Sequence, residues 1–174
     1  MSTPADSTRR SWVKPALIGA LVLALAAGGY ATFGGAQAAP EVTYFAIDGK
    51  KMSTESLRGK VVMVNFWATS CVTCVKEMPA MVETYNKYKG QGLEFIAVAM
   101  QYDPPNYVLN YAETRRLPFT VALDSGGNIA KSFGNVVMTP TTFVIDKDGK
   151  IIKRYVGEPE WSALHKLLEK SLAG

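Results

Sequence analysis

The 174-residue chain contains only two cysteines and one histidine, and this scarcity excludes several kinds of site. A structural zinc ion needs four ligands, and no second cysteine pair accompanies Cys71 and Cys74. Attached c-type haem needs a histidine directly after the second cysteine, where this sequence has Val75. The single histidine, His165, lies far along the chain in the predicted C-terminal helix. A framework of structural disulfides is excluded too, and we expect neither a metal nor an organic cofactor.

An excess of charge of one sign is also missing. Lys and Arg number 19 against 15 Asp and Glu, which gives a formal charge of +4. Half of this charge comes from the first 14 residues, and the remaining basic residues alternate with acidic ones. Nucleic acid binding would require a clustered basic face, so we expect no nucleic acid partner. Long polar tracts are absent as well, and 48% hydrophobic residues suffice for one globular domain with an extension.

The extension is the N-terminal segment, in which no charged residue occurs between Pro15 and Pro40. Arg9, Arg10 and Lys14 precede this stretch, and by the positive-inside rule they stay in the cytoplasm. We therefore predict three parts: a cytoplasmic n-region at 1–14, a transmembrane signal-anchor or signal peptide with a short linker at 15–40, and a domain at 41–174. The domain would lie on the far side of the membrane, in a bacterial periplasm.

Two fates of this segment stay open. Including its weaker part it reaches the ~20 residues that span a bilayer, which favours an anchor retained in the inner membrane. Residues 16–27 alone have the length of a signal-peptide core, and Ala36-Gln-Ala38 resembles a cleavage site, so export with cleavage after Ala38 is the alternative. The pair Arg9-Arg10 fits either ordinary secretion or twin-arginine export.

The domain sequence alternates strand and helix patterns. The apolar run Val61–Ala68 predicts a buried strand, and Cys71–Lys89 predicts the helix that follows it. A second buried strand, Leu93–Met100, and further short elements lead to a β-hairpin and a final amphipathic helix. This order predicts a mixed α/β fold with the two cysteines at the carboxyl end of a strand, where such folds place their sites.

Cys71 and Cys74 form a CxxC motif at the predicted start of the helix. A thiol at a helix N-terminus faces free N–H groups and the positive end of the helix dipole, and both favour the thiolate. Cysteines at i and i+3 lie on one helical face, so they can close a disulfide and open it again. The motif therefore predicts a redox-active disulfide, Cys71–Cys74, and the chemistry of thiol–disulfide exchange.

Further motifs in residues 41–174 keep a specific order and spacing. They are Asp48-Gly-Lys50, Leu57-Arg-Gly-Lys60, Val61–Trp67, the CxxC followed by Lys76-Glu77-Met-Pro79, and Thr139-Pro140-Thr-Thr-Phe-Val-Ile-Asp146. Together they resemble the thioredoxin superfamily and, within it, the TlpA/ResA-like membrane-anchored thiol–disulfide oxidoreductases. The resemblance implies a thioredoxin-like fold: a central mixed β-sheet flanked by helices, an N-terminal β-hairpin, and a central helix–strand insertion from Pro105 to Leu123.

The same resemblance implies roles for individual residues. Cys71 would be the exposed nucleophile and Cys74 the buried resolving thiol. Pro140 would be the family's cis-proline, and with Thr139 it would present backbone groups to a substrate strand. Trp67 would cover the site and contact the substrate, although packing in the core is the competing interpretation.

Two positions depart from the thioredoxin pattern. Asn65 stands where thioredoxins usually carry a buried aspartate, and Ser70 where they carry a tryptophan. Glu77, on the same helix face as Cys74, is the natural replacement for the missing proton acceptor. The alternative is that Glu77 is an ordinary solvated helix charge.

We predict an enzyme that reduces disulfides in periplasmic partner proteins, in cytochrome c maturation or in assembly of the copper site of an oxidase. A membrane thiol-electron transporter would re-reduce it. One alternative is a disulfide donor in oxidative folding. Another is an assembly factor that binds Cu(I) through Cys71 and Cys74. Five methionines are predicted to fill the core and not to form a thioether copper site: Met63, Met78, Met81, Met100 and Met138.

Overall fold

The structure is a computed structural model that describes residues 37–174. The strands are β1 (Thr43–Phe45), β2 (Lys51–Ser53), β3 (Val61–Trp67), β4 (Leu93–Ala99), β5 (Thr120–Leu123), β6 (Thr141–Ile145) and β7 (Ile151–Val156). The α-helices are α1 (Val72–Tyr88), α2 (Pro105–Arg115), α3 (Asn128–Ser132) and α4 (Trp161–Ala173), and short 3-10 helices span Thr54–Leu57 and Lys89–Gln91.

The central sheet has five strands in the order β5-β4-β3-β6-β7. Strand β3 runs parallel to β4, β4 runs parallel to β5, and β6 and β7 are antiparallel to their neighbours. The strands β1 and β2 form a separate antiparallel hairpin. The predicted fold class is confirmed, including the N-terminal hairpin and the insertion, which supplies α2 and the edge strand β5.

Strand β3 explains why the sheet lies between two buried layers. All seven of its residues are buried, and consecutive side chains point to opposite faces. Val61, Met63 and Trp67 belong to the hydrophobic cluster that includes residues of α1, α2 and α4. Val62, Val64 and Phe66 belong to the cluster on the other face, with residues of α3 and the hairpin. By the same alternation Asn65 lies on the face that α1 covers.

The strand register brings four chain segments to one edge of the sheet. Trp67 at the end of β3 is paired with Ala99 at the end of β4. Phe66 is paired with Thr141 at the start of β6, and Thr141 is paired in turn with Val156 at the end of β7. The loops that follow β3, β4 and β7 and the loop that precedes β6 therefore meet at this edge.

The predictions for the N-terminal n-region and apolar segment concern residues that lie almost entirely outside the described part, 37–174. Within that part, residues 37–39 extend along the β6–β7 hairpin. The Ile151 N–H donates to the Gln37 carbonyl at 2.8 Å, and the Ala39 N–H donates to the Gly149 carbonyl at 2.8 Å. No helix in residues 37–174 is long and apolar enough to cross a membrane.

Candidate active site

The two cysteines lie where β3 gives way to α1. Cys71 is the N-cap of α1, with extended backbone angles, and its Sγ accepts a hydrogen bond from the Cys74 N–H at 3.2 Å. The side chains form a disulfide with their Cα atoms 5.2 Å apart. Cys71 is half-buried, whereas Cys74 is fully buried. Only the first sulfur of the pair therefore has a path to a partner molecule.

The position of Cys71 also favours its ionised form after reduction. The first N–H groups of a helix have no partner within the helix, and the helix dipole places a partial positive charge at this end. Cys71 Sγ already receives one of these N–H groups, that of Cys74. The local geometry thus lowers the cost of forming a thiolate at Cys71.

Glu77 lies one turn after Cys74 and is only 2% exposed, so it is not a solvated helix charge. Its Oε1 accepts a hydrogen bond of 3.1 Å from the Nδ2 of Asn65 on β3. The pKa of Glu77 is raised from 4.5 to about 7: burial is the main cause, the Asn65 hydrogen bond opposes it, and the Glu158 charge adds to the rise. At neutral pH the carboxyl group can therefore both take up and release a proton.

Asn65 is joined to a second polar side chain that the sequence analysis missed. Its Nδ2 also donates to the Oγ1 of Thr142 on β6, at 2.9 Å, and both residues are buried. The available signal was the pair Thr141-Thr142, two polar residues in an otherwise apolar strand. Nothing in the local sequence indicated their partner, because Thr142 is 77 positions from Asn65.

Trp67, predicted either to cover the site or to pack in the core, has no exposed surface through which a partner could touch it in this structure. The Trp67 side chain is fully buried in the same cluster as Cys74. Its ring packs against that of Tyr111 on α2, with ring centroids 5.2 Å apart. The alternation along β3 points Trp67 into the core, which favours core packing, and its role at the site stays a prediction.

The loop before β6 contains the predicted cis-proline. The Thr139–Pro140 peptide bond is cis, which confirms the expected geometry. Pro140 is buried and its carbonyl accepts the Gly157 N–H at 2.8 Å, while Thr139 is half-buried. The register of β3 and β6 places this loop at the same sheet edge as the disulfide.

A second loop, after β4, contacts both the segment that leads to Cys71 and the loop that carries the cis-proline. The Asp103 carboxylate is buried and accepts hydrogen bonds of 2.6 Å from both the N–H and the hydroxyl of Thr69, two residues before Cys71. The neighbouring Tyr102 hydroxyl is 3.3 Å from the Thr139 hydroxyl, beside the cis-proline. The sequence analysis did not single out Asp103, so this connection was missed.

The rim of the edge is apolar and exposed. The exposed side chains are Val72 (83%), Val137 (72%), Met138 (62%) and Tyr102 (55%). Met138 is therefore not core filling as predicted, whereas Met63, Met78, Met81 and Met100 are buried. Two charges of α1 and of the loop after β7 form an ion pair, with Lys76 Nζ 3.4 Å from Glu158 Oε2. Such a surface suits a protein partner better than a charged small molecule.

Metal-binding groups do not gather at this edge. Among residues 37–174, no three His, Cys, Asp or Glu side chains are arranged to hold a metal ion. His165 lies on α4, where its Nε2 is 3.0 Å from the Thr84 hydroxyl and its ring packs against Tyr88. This histidine therefore contributes to the contact between α1 and α4.

Comparisons with known proteins agree with this geometry. The model of the Redoxin family matches residues 35–170. Thiol-disulfide oxidoreductase ResA of Bacillus thuringiensis subsp. konkukian (strain 97-27) is 42% identical over 132 residues, covering 76% of this chain and 75% of the relative. The ResA protein of Bacillus subtilis (strain 168) is 32% identical over 164 residues, covering 90% of each.

Solved structures give the same result. The crystal structure of a thiol:disulfide interchange protein of the thioredoxin family from Chlorobium tepidum TLS superposes with a TM-score of 0.72 at 29% identity. The match covers 79% of this chain and 97% of that protein.

Proposed function

This chain belongs to the Redoxin family and is a thiol–disulfide oxidoreductase of the ResA type within the thioredoxin superfamily, and we propose that it acts as a reductant of disulfides in partner proteins. The observation that carries the proposal is the unequal exposure of its two sulfurs. Cys71 is accessible at a helix N-terminus, while Cys74 is buried one helical turn from a carboxyl group with a pKa of about 7.

In the first step the Cys71 thiolate attacks one sulfur of the partner's disulfide. A bond forms between Cys71 Sγ and that sulfur, the partner's S–S bond breaks, and the leaving sulfur takes a proton from water. The helix N-terminus favours the attacking thiolate. The half-exposed position of Cys71 allows the approach, whereas the buried Cys74 cannot be reached from outside.

In the second step Cys74 transfers its proton to the Glu77 carboxylate and attacks Cys71 Sγ. The bond between Cys71 and the partner breaks, and the partner leaves with both of its cysteines reduced. The Cys71–Cys74 disulfide that results is the state seen in the structure. Two electrons have passed from the dithiol to the partner, and Glu77 later returns the proton to solvent.

The surface around the disulfide supports a protein as substrate. We assign Thr139 and Pro140 to the positioning of an extended partner segment, because the loop that carries them lies at the same sheet edge as Cys71. The exposed apolar residues of the rim, Val72, Tyr102, Val137 and Met138, would cover that segment. Cysteines of apocytochrome c or of an oxidase copper site are the substrates that we propose.

The location and the electron source are further parts of the proposal. The basic residues before Pro15 and the uncharged stretch up to Pro40 support anchoring in the bacterial inner membrane, with the domain on the periplasmic side. A dithiol in an oxidising compartment needs continual re-reduction, so we propose a membrane thiol-electron transporter as its donor.

Two variants of the full chain test the mechanism. We expect Cys71→Ser to reduce the rate of partner-disulfide reduction to background, because the accessible nucleophile is lost. Cys74→Ser should accumulate a covalent complex, because the mixed disulfide forms but is not resolved. Non-reducing electrophoresis with a disulfide-containing protein substrate measures both results.

Ser70→Ala is the matched control, since it removes an exposed oxygen next to Cys71 and should leave the rate unchanged. Reduction that persists in Cys71→Ser would contradict the mechanism. Copper that co-purifies with the reduced wild-type chain and is lost in both cysteine variants would instead support the copper-binding alternative.

A further inference from the structure

Two buried side-chain oxygen atoms, Asn65 Oδ1 on β3 and Glu77 Oε2 on α1, have no hydrogen-bond partner within residues 37–174. We propose that these two oxygens share the proton that Glu77 takes up, so that Asn65 is a positioning residue that binds protonated Glu77 as a two-bond acid–amide pair. Its role in catalysis rests on the proposed function, in which Cys74 supplies this proton, whereas the pair itself forms with a proton from any source.

One of the two bonds is already present. The Asn65 Nδ2 donates to Glu77 Oε1 at 3.1 Å. A carboxylic acid and a carboxamide are both planar groups with two polar atoms at similar spacing, so they can form two parallel hydrogen bonds. The second bond would join the acid O–H to the amide oxygen, and its two oxygens are the ones without partners.

The Asn65 amide is held in one orientation by a second contact. Its Nδ2 carries two hydrogens, and the other hydrogen bond goes to Thr142 Oγ1 at 2.9 Å. Turning the amide over would remove the N–H groups from both acceptors. Because ionised Glu77 can only accept, the orientation with Nδ2 toward Glu77 and Thr142 is favoured in that state, and it leaves Oδ1 as the free acceptor.

Asparagine serves both protonation states of Glu77, which an aspartate at this position could not do. With Glu77 ionised, the Asn65 N–H donates to the carboxylate; with Glu77 protonated, Asn65 donates through Nδ2 and accepts through Oδ1. Aspartate has no N–H, and its charge would repel the ionised form. The value of about 7 to which burial raises the Glu77 pKa means that both states are populated near neutral pH.

The charged and titratable groups around Glu77 come from a few elements. On α1 they are Cys74 and Lys76, and from the loop after β7 Glu158 raises the Glu77 pKa. The Lys76–Glu158 ion pair partly offsets that charge. The contacts from β3 and β6 are the uncharged Asn65 and Thr142. Among these neighbours, only Asn65 has a hydrogen bond to Glu77 that could become an acid–amide pair.

The test is a carbon-13 NMR titration of the oxidised full chain from pH 5 to pH 9. We expect the side-chain carbonyl carbon of Asn65 to shift with the same midpoint as the carboxyl carbon of Glu77. In Glu77→Gln the Asn65 shift should disappear, because the glutamine amide already forms the pair. An Asn65 carbon that stays constant while Glu77 titrates would overturn the proposal.

Infrared spectra of variants provide a second readout. The carbonyl band of protonated Glu77, identified by its loss in Glu77→Gln, should move to higher wavenumber in Asn65→Leu because the acid loses its partner. Thr84→Val is the matched control, because it removes a buried hydroxyl of the same helix whose contact is His165, and it should leave the band in place. An unchanged carbonyl band in Asn65→Leu would overturn the proposal. If Asn65→Leu does not fold, the carbon-13 titration of the wild-type chain tests the acid–amide pair without it.

Both readouts use the oxidised protein, in which no exchange occurs, so they are separate from the test of the proposed function. If Cys71→Ser still reduced partner disulfides, the proposed function would be wrong, but the evidence for the acid–amide pair would be unaffected. Absence of the coupled titration would remove the pair and leave the exchange mechanism of Cys71 and Cys74 intact.

Discussion

At the scale of single residues, burial separates the roles of chemically similar groups. Cys71 and Cys74 are both thiols on one helical turn, but only Cys71 reaches the surface. Glu77 and Glu158 are glutamates close enough for the charge of Glu158 to act on Glu77, yet burial raises the pKa of Glu77, while hydrogen bonds from Trp161 and Lys76 lower that of Glu158. Glu77 can therefore exchange protons near pH 7, and Glu158 remains a fixed charge.

The raised pKa of Glu77 predicts how stability depends on pH. The folded protein holds this proton up to about pH 7, whereas the unfolded chain releases it near 4.5. The stabilisation by protonated Glu77 is therefore complete below pH 4.5 and is lost as pH rises through 7. With 1.36 kcal/mol per pKa unit, the free energy of unfolding should fall by about 3 kcal/mol across this window.

Urea unfolding of the oxidised chain between pH 5 and pH 9 measures this decrease. Glu77→Gln cannot ionise and should lack the decrease, whereas Glu83→Gln, on the same helix, should retain it. A wild-type stability that stays constant over the window would show that Glu77 is not protonated in the folded state at pH 5.

The residues of the site differ in how far local sequence could predict them. The CxxC spacing indicated the dithiol, and the helix face indicated Glu77 as the neighbour of Cys74. Thr142 and Asp103 were missed because their partners lie 77 and 34 positions away. For Trp67 the resemblance suggested a site residue, whereas the alternation along β3 directs this side chain into the core.

At the scale of elements, the loops after β3 and β4 are joined by one carboxylate. Asp103 accepts two hydrogen bonds of 2.6 Å from Thr69 and so holds the chain that leads to Cys71. Both bonds involve a charged acceptor, and such bonds contribute more than neutral ones. The connection fixes where α1 begins relative to the rest of the sheet edge.

Removing this carboxylate should loosen the loop. We expect Asp103→Ala to lower the free energy of unfolding by about 2–3 kcal/mol, because the N–H and hydroxyl of Thr69 lose their acceptor. Urea unfolding measures the loss. The control is Asp148→Ala, at an exposed position in the β6–β7 turn, which should change stability by about 0.5 kcal/mol or less. Equal losses in the two variants would contradict the role of Asp103.

At the scale of the whole molecule, the hydrophobic pattern predicted a mixed α/β fold, and the family resemblance supplied the thioredoxin-like sheet, the N-terminal hairpin and the insertion. Continuous apolar runs predicted β3 and β4 with nearly their observed bounds, because both strands are buried on both faces. The turn residues between β6 and β7 predicted the hairpin. The pattern could not predict which loops meet at one edge, since that depends on the pairing of β3 with β4 and β6.

The central claim concerns the direction of electron flow, and the reduction potential of the full chain tests it most directly. The potential is measured by equilibration in thiol–disulfide redox buffers. A reductant requires a value near the thioredoxin end of the range, about −270 mV, and this is the result that we predict. A value near the oxidising end, about −120 mV, would contradict it and identify the protein as a disulfide donor.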